Sequence, residues 1–346
     1  MFTKLKNRIE KELTIYSRSI NKLYTLNNLS PILFTSIKEF ILREGKRIRP
    51  ILFCIGYLGY SKRNPAGLYR SALSLELLHD FMLVHDDIID KSDKRRGKPS
   101  MHALLKNYLP KNKEIKFSGQ DMAIVVGDVM YAMALDSFMT VKENRQRKEE
   151  ALKKLIAAAL YTGSGEFIEL LLGIKPLERV TLEDIYKIYD HKTAKYTFSY
   201  PLTIGATLAG AKKNQIELLN SYGLLLGRAF QIKDDIIGTF GNVKETGKSN
   251  LTDLREAKRT ILLWYAFKKS RQNEKQTIKK ITGAKSIKNA DLTRVRKIIV
   301  SSGALNYAKE QIVDLRSKSL KQLNLLKISK NYKEALDKFS QKILKI

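Results

Sequence analysis

Hydrophobic positions recur at helical spacing along most of the chain. The pattern is clear in LYRSALSLELLHDFMLVHDDIID, residues 68–90, and in IELLNSYGLLLGRAFQIKDDIIG, residues 216–238. Alternating runs bounded by turn residues are scarce, so few strands are expected. Breaks are sparse. Pro50 follows GKRIR and suits the first turn of a helix. Pro99, Pro110 and Pro176 fall in polar connections, and SSG at 301–303 reads as a helix start capped by serine. The most loop-like stretch is the basic segment YLPKNKEIKFSGQD, residues 108–121. No low-complexity linker divides the chain. The pattern predicts an all-α protein, a single domain over 1–346 built from roughly a dozen helices.

Length and composition agree: 346 residues at 43% hydrophobic can enclose a sizeable core. Cys54 is the single cysteine, so no disulfide forms within the chain and a reducing, cytoplasmic compartment is expected. The charged N-terminus does not read as a secretory signal. The longest uncharged stretch noted, residues 196–211, is shorter than a bilayer needs and contains Pro201, so no membrane span is expected. The formal net charge is +29, and residues 267–346 hold 21 Lys+Arg against 6 Asp+Glu, a net +15. These cations are spread along amphipathic helices and are not interleaved with aromatics. They read as solvated faces with at most a weak attraction to anionic membrane surfaces, and no nucleic-acid partner is expected.

Carboxylates inside the two apolar helices change the picture. On a helix Asp86 and Asp90 share a face one turn apart, with Asp87 beside them. Asp234 and Asp235 form a second acidic pair about 150 residues later. Unpaired, such groups would repel one another and be costly to desolvate. An oxygen-only ligand set suits Mg²⁺ or Ca²⁺, and Mg²⁺ typically completes its shell with water and phosphate oxygens. If the two helices face each other, they make a cleft for metal-loaded polyphosphate. Taken singly, these acids are ordinary surface charges paired with lysines, but they have cationic company. Arg95 and Arg96 follow the first motif; Lys46, Arg47 and Arg49 lie in EGKRIRP; Lys192 and Thr193 lie in HKTAKYTF; Lys248 and Lys258 follow the second pair. Separate cationic cradles suit two anionic groups. The four histidines have no convincing zinc spacing.

These motifs, in this order, resemble the trans-isoprenyl diphosphate synthase (polyprenyl synthetase) family: GKRIRP at 45–50, LELLHDFMLVHDDIIDKSDKRRGKPSMH at 75–102, GD at 127–128, KT at 192–193, AFQIKDD at 229–235 and TGKSNLTDLREAKRT at 246–260. The resemblance implies long helices around a deep central cavity, a homodimer, and up to three Mg²⁺ ions. It implies Mg²⁺ ligation by Asp86, Asp87, Asp90, Asp234 and Asp235. Arg95, Lys192, Lys248 and Lys258 would bind an allylic diphosphate, and Lys46, Arg49, His79 and Arg96 isopentenyl diphosphate. Thr193 and Gln231 would present oxygen dipoles to the carbocation, with Lys192 beside them. His85, His102 and His191 are left as structural. The implied reaction is Mg²⁺-dependent head-to-tail condensation of isopentenyl diphosphate with an allylic diphosphate. No Ser–His or Cys–His nucleophile arrangement is in evidence.

Three departures from the family pattern stand out. Gly238 replaces a third aspartate in DDIIG, Glu44 precedes GKR where glycine is common, and Glu166 in GEFIE stands where glutamine is frequent. Loop 108–121 is longer than the resemblance implies. Phe81 and Met82, five and four residues before Asp86, sit about 6–8 Å down a helix rising 1.5 Å per residue. An aromatic at Phe81 implies a floor typical of short products, geranylgeranyl (C20) ahead of farnesyl (C15) diphosphate. Rival readings are a longer-chain (C30 or more) synthase, a class I terpene cyclase, or a regulatory synthase subunit. The retained Lys46, Arg49 and Arg96 argue against the cyclase, and the retained acids against the subunit.

Overall fold

The computed structural model describes residues 1–110, 114–241, 251–284 and 286–345. The fold is all-α, with one hairpin of two-residue strands as its only sheet among the described residues. It divides into two compact units: residues 1–152 with 204–210, and residues 153–203 with 211–346.

In the first unit the elements are α1 (Phe2–Tyr24), α2 (Leu26–Leu29), α3 (Pro31–Ile41), α4 (Ile48–Leu58), α5 (Leu68–Ile89), the hairpin strands β1 (Lys94–Arg95) and β2 (Lys98–Pro99), α6 (Met101–Lys106) and α7 (Gly119–Met139). Helix α5 is the centre of this unit, packed by α1, α4 and α7. It is buried on several sides, with thirteen buried residues from Leu68 to Asp87, eight of them apolar. Helix α7 starts at a capping box in which Ser118 and Asp121 satisfy each other's backbone N–H groups.

Helix α8 (Arg145–Ile174) and helix α10 (Tyr200–Ala209) carry residues of both units. The second unit continues with a 3₁₀ turn (Leu177–Arg179), α9 (Leu182–Ile188), a π-helical stretch (Tyr189–Ser199) and α11 (Lys213–Phe240). It ends with α12 (Thr252–Arg255), α13 (Ile261–Lys269), α14 (Gln272–Thr282), α15 (Asn289–Ser301), α16 (Ala304–Leu325) and α17 (Lys330–Leu344). Helix α11 is its axis, packed by α16 and by the π-helical stretch.

Two details differ from the sequence expectations. Ser301 and Ser302 close α15, and it is Gly303, at φ 78°, that precedes α16 with no side-chain cap. A left-handed residue makes that turn, a conformation glycine adopts without strain. Helices α7 and α8 are both long and apolar enough by composition to cross a membrane, although the sequence reading found no candidate span. Residues 119–139 spend part of that apolar surface inside the fold, where α7 packs on α5 and α6. Their sequence also carries Asp121, Asp128 and Asp136.

Candidate active site

In the first unit the acids of α5 divide by burial. Asp86 and Asp90 are half-buried, one turn apart, while Asp87 is fully buried. Arg95 holds Asp87, with Nε 2.9 Å from Oδ1 and Nη2 closer still. Its guanidinium stays charged despite burial because the Asp87 carboxylate, then Asp86 and Asp90, draw its pKa upward.

The hairpin that supplies Arg95 turns through Arg96 and Gly97, at φ 53° and 74°. Left-handed geometry at both central positions is the tight two-residue turn that matches strand twist. It places Arg96 over the buried face of α5. There Nη2 lies 3.6 Å from Asp80 and 3.9 Å from Glu76.

The GKRIRP motif also divides. Arg47 is 1% exposed. Its guanidinium bonds Glu76 at 2.6 Å, Glu10 at 2.8 Å, and the carbonyl oxygens of Arg43 and Ile41 at 2.6 and 3.2 Å. It is a structural tie. Lys46 is exposed and Arg49 half-buried, so these two are the cations of the motif with solvent access. His79, on α5, is half-buried. Its pKa is held well below the ordinary histidine value, by burial first and then by Arg49, Arg96, Arg95 and Arg47. A neutral imidazole therefore sits within a field of guanidinium groups.

Phe81 packs edge-on against His85 with ring centres 4.7 Å apart, and tilted against Tyr131 of α7 at 5.3 Å. Phe81 and Met82 are both half-buried. On the helix Met82 lies one turn below Asp86, and Phe81 one turn below His85.

In the second unit, Lys192 and Thr193 lie in the π-helical stretch. Extended π geometry is rare and recurs at functional sites. Two close approaches fix its position. A Cβ at Gly227 of α11 would stand 2.4 Å from Ala194 Cα, and a Cβ at Gly165 of α8 would stand 2.8 Å from the Lys192 nitrogen. With glycine at both positions, the segment lies directly against both helices.

A hydrogen-bond chain follows from this packing. Thr193 Oγ1 donates to Gln231 Oε1 at 2.6 Å, and Gln231 Nε2 donates to Asp235 Oδ1 at 2.9 Å. Tyr189 donates its hydroxyl to Asp235 Oδ2 and accepts from the Ile261 N–H at 3.0 Å. Burial, then Asp235, pushes the Tyr189 pKa well up, so the phenol remains a donor. Asp235 is 4% exposed, whereas Asp234 is exposed. Lys192 Nζ contacts both Glu166 and Glu169 of α8. Lys258 pairs with Glu256. Lys248 lies outside the described residues.

Among the described residues no three Asp, Glu, His or Cys side chains converge on one point. The accessible donors are carboxylate oxygens in ones and twos, Asp86 with Asp90 in the first unit and Asp234 in the second. That set fits Mg²⁺, which commonly takes one or two protein carboxylates and completes its octahedron with water and phosphate oxygens.

The sequence reading missed Glu76, Asp80, Glu169 and Tyr189. Glu76 and Asp80 carry the same four-residue spacing as Asp86 and Asp90, one helical stretch earlier, and that signal was available. Glu169 lies three residues after the flagged Glu166. Nothing local marks Tyr189, whose contact with Asp235 spans 46 positions.

A family model described as polyprenyl synthetase matches residues 30–299. The short chain isoprenyl diphosphate synthase of Methanocaldococcus jannaschii is 30% identical over 303 residues, covering 87% of this chain and 83% of its own length. The geranylgeranyl diphosphate synthase of Saccharolobus solfataricus is 32% identical over 318 residues, covering 89% and 85%. A solved geranylgeranyl pyrophosphate synthase from Corynebacterium glutamicum, complexed with isoprenyl diphosphate and magnesium, matches with a TM-score of 0.91 at 26% identity, covering 100% of this chain and 99% of that one.

Proposed function

The chain belongs to the polyprenyl synthetase family, and we propose that it condenses isopentenyl diphosphate with an allylic diphosphate, head to tail, to give a short trans-prenyl diphosphate of C20 length. The observation that carries this reading is the Thr193–Gln231–Asp235–Tyr189 chain. It joins an acidic motif to uncharged oxygen dipoles, the pairing that a metal-bound diphosphate leaving group beside a developing cation calls for.

In this reading Asp86, Asp90 and Asp234 hold Mg²⁺ directly, and Asp87 and Asp235 support them from beneath through Arg95, Gln231 and Tyr189. Bound Mg²⁺ would neutralise charge growing on the departing diphosphate. Arg95, Lys192, Lys248 and Lys258 bind the allylic diphosphate, and Lys46, Arg49, His79 and Arg96 bind isopentenyl diphosphate. The allylic C–O bond breaks, and the isopentenyl double bond attacks the resulting cation. The proton lost from the new chain passes to the released diphosphate. Thr193 and Gln231 turn oxygen dipoles toward the cation, the electrostatic term that catalysis of this kind relies on.

The C20 assignment is supported by the Phe81 ring, which His85 and Tyr131 brace. It accords with the name of the Saccharolobus solfataricus relative. A homodimer is supported by Ile156, Leu160, Phe167, Leu171 and Ile174 of α8, all exposed and spaced along one helix face. A cytoplasmic location is supported by the buried, unpaired Cys54 thiol.

The test supplies purified protein with Mg²⁺, labelled isopentenyl diphosphate and C5, C10 or C15 allylic primers, then sizes the dephosphorylated alcohols. A C20 alcohol is expected. A ladder of C30 or more would overturn the length assignment alone. No condensation with any primer would overturn the reaction.

A further inference from the structure

The buried face of α5 holds a carboxylate that the proposed mechanism does not use. Asp80 is 0% exposed, and neither of its oxygens has a hydrogen-bond partner among the described residues. Glu76, one turn earlier, is also buried, but Arg47 satisfies it at 2.6 Å. Arg47 also bonds Glu10 and two backbone carbonyls. The nearest cation to Asp80 is thus Arg96, at 3.6 Å and without a hydrogen bond. Arg96 keeps 23% of its side chain exposed, so an incoming anion can reach it.

Among the described residues, these charged and titratable groups act on Asp80. Glu76 and His79 lie on its own helix, Arg47 and Arg49 come from the start of α4, and Arg96 comes from the hairpin turn. His79 is held neutral by burial and by these guanidiniums, so it neither neutralises Asp80 nor competes with it for protons. An ion pair without hydrogen bonds leaves Asp80 dependent on Coulomb attraction, to Arg96 first and then to Arg47 and Arg49. A diphosphate that takes hold of Arg96 offsets the largest of these attractions with a repulsion of its own.

We propose that Asp80 sets the affinity for isopentenyl diphosphate by competing for Arg96, and that Asp80 takes a proton from solvent when the diphosphate binds. The inference rests on the reading of Arg96 as an isopentenyl diphosphate ligand. Asp80 acts through Arg96, which makes it a positioning residue. Burial and the neighbouring Glu76 already push its pKa well up, against the pull of Arg96, Arg47 and Arg49, so the site favours the protonated form and an anion on Arg96 favours it further. Binding should tighten as pH falls, because the protonated form leaves Arg96 to the ligand.

The experiment is titration calorimetry of isopentenyl diphosphate into the full-length protein, in two buffers of different ionisation enthalpy. It is run at about pH 8.5, where a free diphosphate is fully ionised, its last pKa lying near that of a phosphomonoester at about 6. Steady-state KM values from about pH 6 to about pH 9 accompany it. Wild type is expected to take up protons on binding. Asp80→Asn, and Asp80→Ser as a second neutral side chain, should abolish that uptake. They should also lower the isopentenyl diphosphate KM at the alkaline end by about tenfold, the span of one pKa unit of linkage. KM for the allylic substrate and kcat should hold. Absence of proton uptake in wild type that still condenses overturns the inference, even if both variants fail to fold. So does equal uptake in wild type and variants. Wild type that neither binds nor condenses isopentenyl diphosphate overturns the parent reading instead.

Discussion

Replacing Glu166 by glutamine should tighten binding of the allylic diphosphate. Lys192 Nζ lies between two carboxylates, Glu166 and Glu169, so its charge is more than balanced before substrate arrives. A diphosphate oxygen bonded to the far side of that ammonium would stand about 5 Å from the Glu166 carboxylate, two hydrogen-bond lengths away. At an effective dielectric of about 20, two like charges at that distance repel by about 3 kcal/mol. Lys192 and Glu166 retain 21% and 13% of their side-chain exposure, so solvent screens part of this. We expect about 1–2 kcal/mol to survive, which is roughly a 5- to 30-fold fall in KM for the allylic substrate. The glutamine keeps the shape and a carbonyl acceptor for Lys192, so packing against the Gly165 crossing is retained. The assay is initial-rate condensation with the allylic primer varied at saturating isopentenyl diphosphate. If KM rises or stays unchanged while the fold is intact, then Lys192 does not bind the allylic diphosphate, or Glu166 is needed there for another purpose. Glu166→Asp is the control, and should stay near wild type because it keeps the charge.

Three further outcomes follow from the same geometry. Arg47→Met strands the buried Glu76 carboxylate and should cost about 3–5 kcal/mol, read as a lowered midpoint of urea or thermal unfolding; a change under about 1 kcal/mol would show that Arg47 is not the tie described. Tyr189→Phe removes the hydroxyl donated to Asp235 and should raise the Mg²⁺ concentration for half-maximal rate about tenfold, the equivalent of about 1–3 kcal/mol for a lost buried hydrogen bond; an unchanged Mg²⁺ curve would detach Asp235 from metal binding. Phe81→Ala takes away the ring braced by His85 and Tyr131 and should lengthen the product beyond that of wild type; an unchanged distribution of alcohols would rule Phe81 out as the floor.

The hydrophobic period of residues 68–90 and 216–238 sufficed to place Asp86 with Asp90 on one helical face, and to put both acidic pairs inside apolar helices, because side-chain direction around a helix follows from spacing alone. The order of the motifs along the chain likewise carried the family. Spacing could not say which member of each adjacent aspartate pair would be buried. Asp87 is enclosed because a left-handed turn at Arg96–Gly97 swings Arg95 onto it, and Asp235 because Tyr189 reaches it from 46 positions away. Arg47 and Lys46 are neighbours in one cationic motif, yet one is sealed against Glu76 and the other is exposed, a difference decided by α1 and α5. The same holds for the π-helical setting of Lys192 and Thr193, which depends on two glycines on other helices. Local pattern sets the angle at which a side chain leaves its helix. What meets it there is a contact between segments distant in sequence, and only the packed chain decides it.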